Sequence, residues 1–251
     1  MYNPVMQDSN QNDFISTVSH ELRTPLTSIR GFSQTMLNSW DKLDDDSKKK
    51  FIKIIEEQSQ RLINLVENML AVTKLQGENK SLIYNEFDIK PVIEQVITLV
   101  KNQYPAKDYQ INYSSNLPYI FTDKDKFTQV ITNLAENSAK YSPENSTIKI
   151  SASYSENNII ITISNNGTAI DEADYEKIFT KFARIDNPLT RKVQGSGLGL
   201  YITKNLVEKM SGKINVKSET LNNNSDLSEI TFTVTFPLKS IEEQTRIKCN
   251  R

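Results

Sequence analysis

The sequence holds a single histidine, in the run Ser19-His20-Glu21-Leu22-Arg23-Thr24-Pro25. On a helix His20 lies roughly 200° around the axis from both Val18 and Leu22, so it faces away from the apolar side. A neutral imidazole that faces outward is a nucleophile. Glu21 follows directly, and its carboxylate is placed to bond Nδ1–H, leave the Nε2 lone pair outward and stabilise the imidazolium formed on attack. Thr24 stands one turn on, on the same face. Pro25 frees the carbonyl of Glu21 and is expected to kink the helix beside the histidine. Taken alone, a lone histidine is better read as a solvated surface residue.

A second constellation is Asn133-Leu134-Ala135-Glu136-Asn137-Ser138-Ala139-Lys140-Tyr141-Ser142. Asn133, Asn137, Lys140 and Tyr141 recur at spacings of four, three and one, so on a helix they share a face or its rim. An amide oxygen can ligate Mg²⁺, a lysine can bind phosphate, and a tyrosine can pack on a base. A polar helix end before the Ser142-Pro143 stop explains the same residues equally well. A third run, Gly195-Ser196-Gly197-Leu198-Gly199-Leu200, is a glycine-rich turn opening a helix, where backbone N–H groups can approach an anion. Its spacing is not that of the dinucleotide fingerprint, and no strand ends just before it. Upstream lie Lys181, Arg184, Arg191 and Lys192, a basic loop that could close over a triphosphate.

Two kinds of pattern must position these runs. Before residues 76–86 the chain reads as helix. Ile15, Val18, Leu22, Leu26, Ile29, Phe32 and Met36 form one apolar stripe, and Phe51, Ile55, Gln58, Leu62, Leu65, Met69 and Val72 a second. Asn38-Ser39-Trp40-Asp41 and Asp44-Asp45-Asp46 suit a turn and a helix start between them. The result is a helical hairpin. Each stripe is wide, and two helices cannot cover both, so pairing into a four-helix bundle is expected.

After the polar linker Gln76–Ser81 the pattern mixes helix and strand. Helices are expected over 88–103, with Ile89, Val92, Ile93, Val96, Leu99 and Val100 along one side, over 123–141, and from Leu198 to Ser211, stopped by Gly212. Strands are expected over 109–114, over Ile148, Ile150, Ala152 and Tyr154, over 159–164, 213–218 and 228–236. Residues 165–196 read as an irregular loop, long enough to be functional. The fold class is therefore α plus α/β, a helical hairpin followed by an α/β sandwich.

Composition bounds the function. Hydrophobic residues at 37% and charged residues at 24% support a packed core. Thirty basic against 31 acidic residues, a net charge of −1, argue against a nucleic-acid binder with a broad basic face. One cysteine, Cys249, excludes an intrachain disulfide and a cysteine-based zinc site, and one histidine excludes a multi-histidine metal site. No apolar run approaches the ~20 residues of a membrane span, and MYNPVMQDSNQN lacks the regions of a signal peptide. A cytosolic protein, or the cytosolic part of a larger one, is expected.

In their order along the chain these runs resemble one family, the sensor histidine kinases of two-component signalling. SHELRTPLTSIRGF resembles its phospho-acceptor box, NLAENSAKYS its N box, Phe179-Thr180-Lys181-Phe182 its F box and GSGLGL its second glycine box. The resemblance spans roughly residues 12–238. It implies a signalling-helix stub at 1–11, a dimerisation and phosphotransfer domain at 12–76, a linker at 77–86, an ATP-binding domain of the gyrase, Hsp90 and MutL kind at 87–238, and a tail at 239–251. It further implies transfer of the ATP γ-phosphate to His20, with Glu21 as base and Thr24 holding the water used in dephosphorylation. Asn137 would bind Mg²⁺, Asn133 and Lys140 the phosphates, and Tyr141, Asn165 and Gly167 the adenine side. Arg184, Gly195, Gly197, Leu198 and Gly199 would line the phosphates. The implied partners are a second copy of the chain and a response-regulator receiver domain, with no nucleic acid, and a membrane only through an upstream sensor.

One motif departs from the family's pattern. The first glycine box, Asp-x-Gly-x-Gly-Ile in the family, is Asn165-Asn166-Gly167-Thr168-Ala169-Ile170 here. Asn165 can accept from the adenine amino group through its amide oxygen, without a charge, and Ala169 replaces a glycine that would help the loop turn. A non-catalytic dimeric binding module is the alternative this departure supports. The intact acceptor run counts against it.

Overall fold

The computed structural model describes residues 5–76, 82–183, 195–221 and 227–239, with positions 243 and 246; residues 5–15 and 76 are described by their backbone alone. The chain divides into two compact units, Met1–Gln76 and Gly77–Arg251.

The first unit is a hairpin of α1, Val5–Ser39, and α2, Asp45–Gln76, joined through a 3-10 turn at Trp40–Lys42. Asp44 starts α2: its carboxylate accepts from the Ser47 N–H at 2.7 Å and from the Ser47 hydroxyl at 3.1 Å. These two bonds hold its carboxyl below the usual range. Pro25 lies inside α1. Val18, Leu22, Ile29, Phe32 and Met36 face inward as the stripe required, but Pro25 is buried in the slot expected for Leu26, which is 53% exposed. A strict alternation of four and three from Val18 selects position 25, and a second helix covers no wider face than that. Phe32 and Phe51 meet across the hairpin at 5.2 Å. Gln58, Leu62 and Met69 are half-buried and Leu65 and Val72 buried.

The second unit is built on a five-stranded sheet in the order β2-β4-β5-β7-β6. Its strands are β2, Asp108–Tyr113; β4, Thr147–Ser155; β5, Asn158–Thr168; β6, Lys213–Thr220; and β7, Leu227–Pro237. β2 and β4 run parallel and the other pairs antiparallel. Burial alternates along β5 and β7, so one face of the sheet is covered and the other is not. The helices α3, Ile89–Gln103; α4, Lys124–Tyr141; and α5, Gly199–Lys209, cover that face. Phe127 of α4 sits between Phe87 and Phe236, 5.5 Å from each, and is fully buried.

Several expectations need correction. On α3 the buried stripe is Ile89, Val92, Ile93, Val96, Ile97 and Val100, whereas Leu99 is 62% exposed; position 97 continues the i, i+4, i+8 row and position 99 leaves it. Tyr154, near the end of β4, is exposed although its register partner Ile159 is buried. Two short strands add to the expected set. β1, Tyr84–Phe87, and β3, Ile120–Asp123, pair antiparallel, and β1 occupies the end of the 77–86 stretch. Four-residue runs carry too little alternation to be read alone. Residues 165–168, expected in a loop, continue β5 and pair with Leu227–Ile230 of β7. After α5 the left-handed residue is Ser211 (φ 63°), while a Cβ on Gly212 would come within 2.6 Å of the Thr235 carbonyl oxygen. Among the described residues no helix is long and apolar enough to cross a membrane.

Candidate functional site

On α1 the His20 side chain is exposed, as its angle from the stripe required. Thr24 is exposed one turn on, and its hydroxyl donates to the His20 carbonyl oxygen at 3.3 Å. The Glu21 carboxylate is engaged across the hairpin, where Arg61 Nη2 donates to its Oε2 at 3.2 Å.

In the second unit two carboxylates start the helices that carry the polar residues. Asp88 accepts from the Lys90 N–H and caps α3. Asp123 accepts from the N–H groups of Asp125 and Lys126 at the head of α4, and its other oxygen accepts from the Ile83 N–H. The inward face of α4 is Phe127, Val130, Ile131, Leu134, Ala135, Ser138 and Ala139. Burying that face leaves Asn133, Asn137, Lys140 and Tyr141 along the rim. The far end of α4 is held by Lys107, which is buried and donates to the carbonyl oxygens of Ser142, at 2.7 Å, and Pro143. Burial pushes the Lys107 ammonium pKa down, against the opposing charge of Glu144.

The rim of α4 meets the glycine-rich turn. Asn133 Nδ2 donates to the Gly199 carbonyl oxygen at 2.8 Å and to the Thr203 hydroxyl at 2.9 Å, locking α4 to the first turn of α5. A Cβ on Gly195 would lie 3.0 Å from Lys140 Nζ and 3.4 Å from the Tyr141 hydroxyl. Gly197 has φ +66°, and a Cβ there would fall 2.7 Å from the Phe182 carbonyl carbon, so only glycine fits. Leu198 is fully buried, and its N–H reaches the Ser196 hydroxyl at 3.3 Å. The Lys140 ammonium lies 5.6 Å from the centre of the Tyr141 ring. Glu136 is half-buried; desolvation raises its carboxyl pKa and the nearby Lys140 charge lowers it.

The end of β5 closes the group. A Cβ on Gly167 would come within 3.0 Å of the Tyr141 carbonyl oxygen and 3.1 Å of Asn165 Nδ2. Asn165 is 3% exposed, and its Nδ2 donates to the Asn166 carbonyl oxygen at 3.1 Å, which leaves the amide oxygen as the acceptor. Ala169 is not among the residues with positive φ, so this loop turns without a glycine there. Three runs, at 133–141, 165–167 and 195–199, are thus brought together in one place. Arg184, Arg191 and Lys192 lie outside the described residues.

Sequence reasoning missed two polar residues at this place. Ser228 is buried and pairs in register with Gly167, so it faces the same side as Asn165; the alternation of 227–237 carried that signal. Thr203, buried under Asn133, had none. Among the described residues no group of three or more carboxylate, histidine or cysteine side chains could hold a metal ion. A divalent cation here would take most of its oxygens from a bound phosphate chain, with the Asn137 amide oxygen as a protein donor, and Mg²⁺ accepts that arrangement. Asn137 suits it, because its half-exposed amide has no hydrogen-bond partner among the described residues.

Comparison with known proteins follows the same division. Residues 10–78 match the His Kinase A (phospho-acceptor) domain, and residues 122–240 match the histidine kinase-, DNA gyrase B-, and HSP90-like ATPase family. The sensor histidine kinase WalK of Bacillus subtilis is 32% identical over 245 residues, 94% of this chain and 38% of that protein. The sensor protein SrrB of Staphylococcus aureus is 32% identical over 215 residues, 84% of this chain and 36% of that protein. The chain therefore spans well under half the length of these curated relatives. The solved structure of histidine kinase ThkA in complex with response regulator protein TrrA superposes with a TM-score of 0.72 at 25% identity, covering 93% of this chain and 64% of that one.

Proposed function

The chain belongs to the sensor histidine kinases, and from that premise we propose that it is an autophosphorylating kinase core, passing phosphate from ATP to His20 and then to an aspartate of a response-regulator receiver domain. The observation that carries the reading is the meeting of Asn133, Lys140 and Tyr141 with the turn at Gly195–Gly199. Residues more than fifty positions apart supply a cation, amides and close backbone approach at one place, the needs of a triphosphate.

In this reading Asn165 accepts from the adenine amino group through its amide oxygen, and Gly167 keeps the strand end flat against it. Lys140 and the backbone of Gly195, Gly197 and Gly199 bind phosphate oxygens, with Leu198 anchoring the turn, Asn133 fixing it to α4, and Arg184 assigned to the same phosphates. Tyr141 packs at the base or sugar. Asn137 offers its oxygen to Mg²⁺, which when bound neutralises phosphate charge. His20 Nε2 forms the new bond to phosphorus as the bond from the γ-phosphorus to the bridging oxygen of ADP breaks. Glu21 accepts the Nδ1 proton. Thr24 holds a water for dephosphorylation of the regulator. The proposed assembly is a homodimer, because Leu26, Ile52, Ile63 and Leu70 are left exposed on the hairpin. The proposed location of this part is the cytoplasm, with the membrane reached only through sensor sequence upstream. The complex of the related ThkA with its regulator TrrA supports the choice of partner.

Incubation with γ-labelled ATP and Mg²⁺ is expected to give an acid-labile, base-stable protein label. His20→Gln is expected to abolish the label and leave nucleotide binding intact. Label retained in His20→Gln would place the acceptor elsewhere. No label in the unaltered chain despite nucleotide binding would establish the non-catalytic module.

A further inference from the structure

We propose that Arg61 is a positioning residue for Glu21 and acts on the phosphorylation of His20 only through that carboxylate. The inference rests on the reading above, in which Glu21 accepts the imidazole proton. Arg61 stands on α2, forty positions from Glu21, and its Nη2 lies 3.2 Å from Glu21 Oε2. Both side chains are only 22% exposed, so the pair is partly withdrawn from water. Among the described residues it is the one ion pair that joins the two helices. The others in this unit, Lys48–Asp45 and Lys53–Glu57, lie within α2.

The geometry divides the carboxylate. Oε2 is taken by Arg61, while Oε1 has no partner among the described residues and is left for the Nδ1–H of the neighbouring imidazole. A glutamate has three side-chain torsions, and ordering it costs rotamer entropy. Arg61 supplies that ordering before the reaction, so the cost does not fall on the step that moves the proton. The guanidinium suits the task better than an ammonium, because its planar fork fixes direction as well as distance. The exposed pairs on α2 have no such leverage, being screened by water.

The test is a double-mutant cycle on the full chain, reading the single-turnover autophosphorylation rate at saturating Mg-ATP, the apparent ATP affinity, and hairpin helicity by circular dichroism. Arg61→Met is expected to slow phosphorylation at least tenfold with ATP affinity unchanged within twofold, and Arg61→Lys to recover part of the rate. Glu21→Gln is expected to slow it at least as much. Adding Arg61→Met to Glu21→Gln is expected to change nothing further. An equal slowing by Arg61→Met in both backgrounds would show that Arg61 acts on the hairpin or on the substrate directly, and would overturn the proposal. So would a normal rate in Arg61→Met while Glu21→Gln is slow. A normal rate in Glu21→Gln would instead overturn the role of Glu21 as base, and the proposal with it. If Arg61→Met does not fold, Arg61→Gln, whose shorter neutral amide lacks the guanidinium fork, carries the same comparison.

Discussion

The two units bury their apolar residues to very different extents. In the α/β unit, Ile89, Ile93, Ile120, Phe127, Ile131, Leu134, Ile148, Ile150, Ile159, Ile161 and Ile163 are all fully covered. In the hairpin the buried hydrophobic side chains include Met36, Leu65 and Val72, while Leu37 is 80% exposed and Leu26, Ile52, Ile63 and Leu70 are about half exposed. Each helix of the hairpin has apolar residues on more than one side, and its neighbour covers one side only. A sheet capped by three helices completes its own core; a pair of helices does not. The proposed nucleotide site thus rests on a self-sufficient scaffold, and His20, the proposed acceptor, on a hairpin that leaves apolar side chains exposed.

The largest effect is expected in the α/β core. Phe127→Ala empties a fully buried site between Phe87 and Phe236 and is expected to cost about 3–5 kcal/mol. A thermal melt should show the loss at every protein concentration. The hairpin should respond differently. Ile63→Ser, on the exposed side of α2, is expected to raise the dimer dissociation constant about tenfold or more, an effect of roughly 1.4 kcal/mol or above. Sedimentation would read it, and a melt of this variant should depend on concentration where that of Phe127→Ala does not. A concentration-independent melt for Ile63→Ser would mean that this side is covered within one chain.

A smaller effect sharpens the site. Asn165→Asp replaces the buried donor to the Asn166 carbonyl oxygen with a carboxylate. Without nucleotide that charge lacks a partner and lowers stability. In the proposed site the adenine amino group of ATP would supply one, and a charged acceptor exceeds a neutral one by about 1 kcal/mol. The expected outcome is a lower melting temperature for the free variant and roughly fivefold tighter ATP binding by calorimetry. Tighter binding of GTP as well would show that the amide does not face adenine.

The smallest expected effect is electrostatic and lies in the hairpin. The bonds from Ser47 lower the Asp44 carboxyl pKa below its unfolded value. A depressed carboxylate contributes stability that is present above the unfolded pKa, near 3.9, and is lost as pH falls through the lower folded value. Helicity of the hairpin in an acid titration should therefore decline less steeply in Asp44→Asn than in the unaltered chain, with little difference at pH 7. Parallel curves would show that this cap carries no pH dependence.

Much of this was legible in the order of residues. The hairpin, its turn, the strands β4 to β7, the exposed face of His20 and Thr24, and the rim of α4 all follow from local period and capping chemistry, which a helix or strand obeys wherever it is placed. Local signal failed where pairing partners decide the outcome. Residues 165–168 look like loop until β7 pairs with them, and β1 and β3 are too short to be strands except against each other. Arg61 looks like any solvated helix arginine until α1 brings Glu21 within 3.2 Å.

Which residues could do chemistry is written in the chain, because side-chain type and helical angle are properties of a few consecutive positions. Helical angle turns His20 outward and sets Asn133, Asn137, Lys140 and Tyr141 on a shared rim. That this rim meets the turn at 195–199, with Asn133 bonded to Gly199 and Lys140 beside Gly195, follows only from packing. So does the filling of the hairpin by Pro25 rather than Leu26, and the engagement of one oxygen of Glu21. These outcomes depend on which faces are driven together when apolar surface leaves water, and that choice is made between elements distant in the chain.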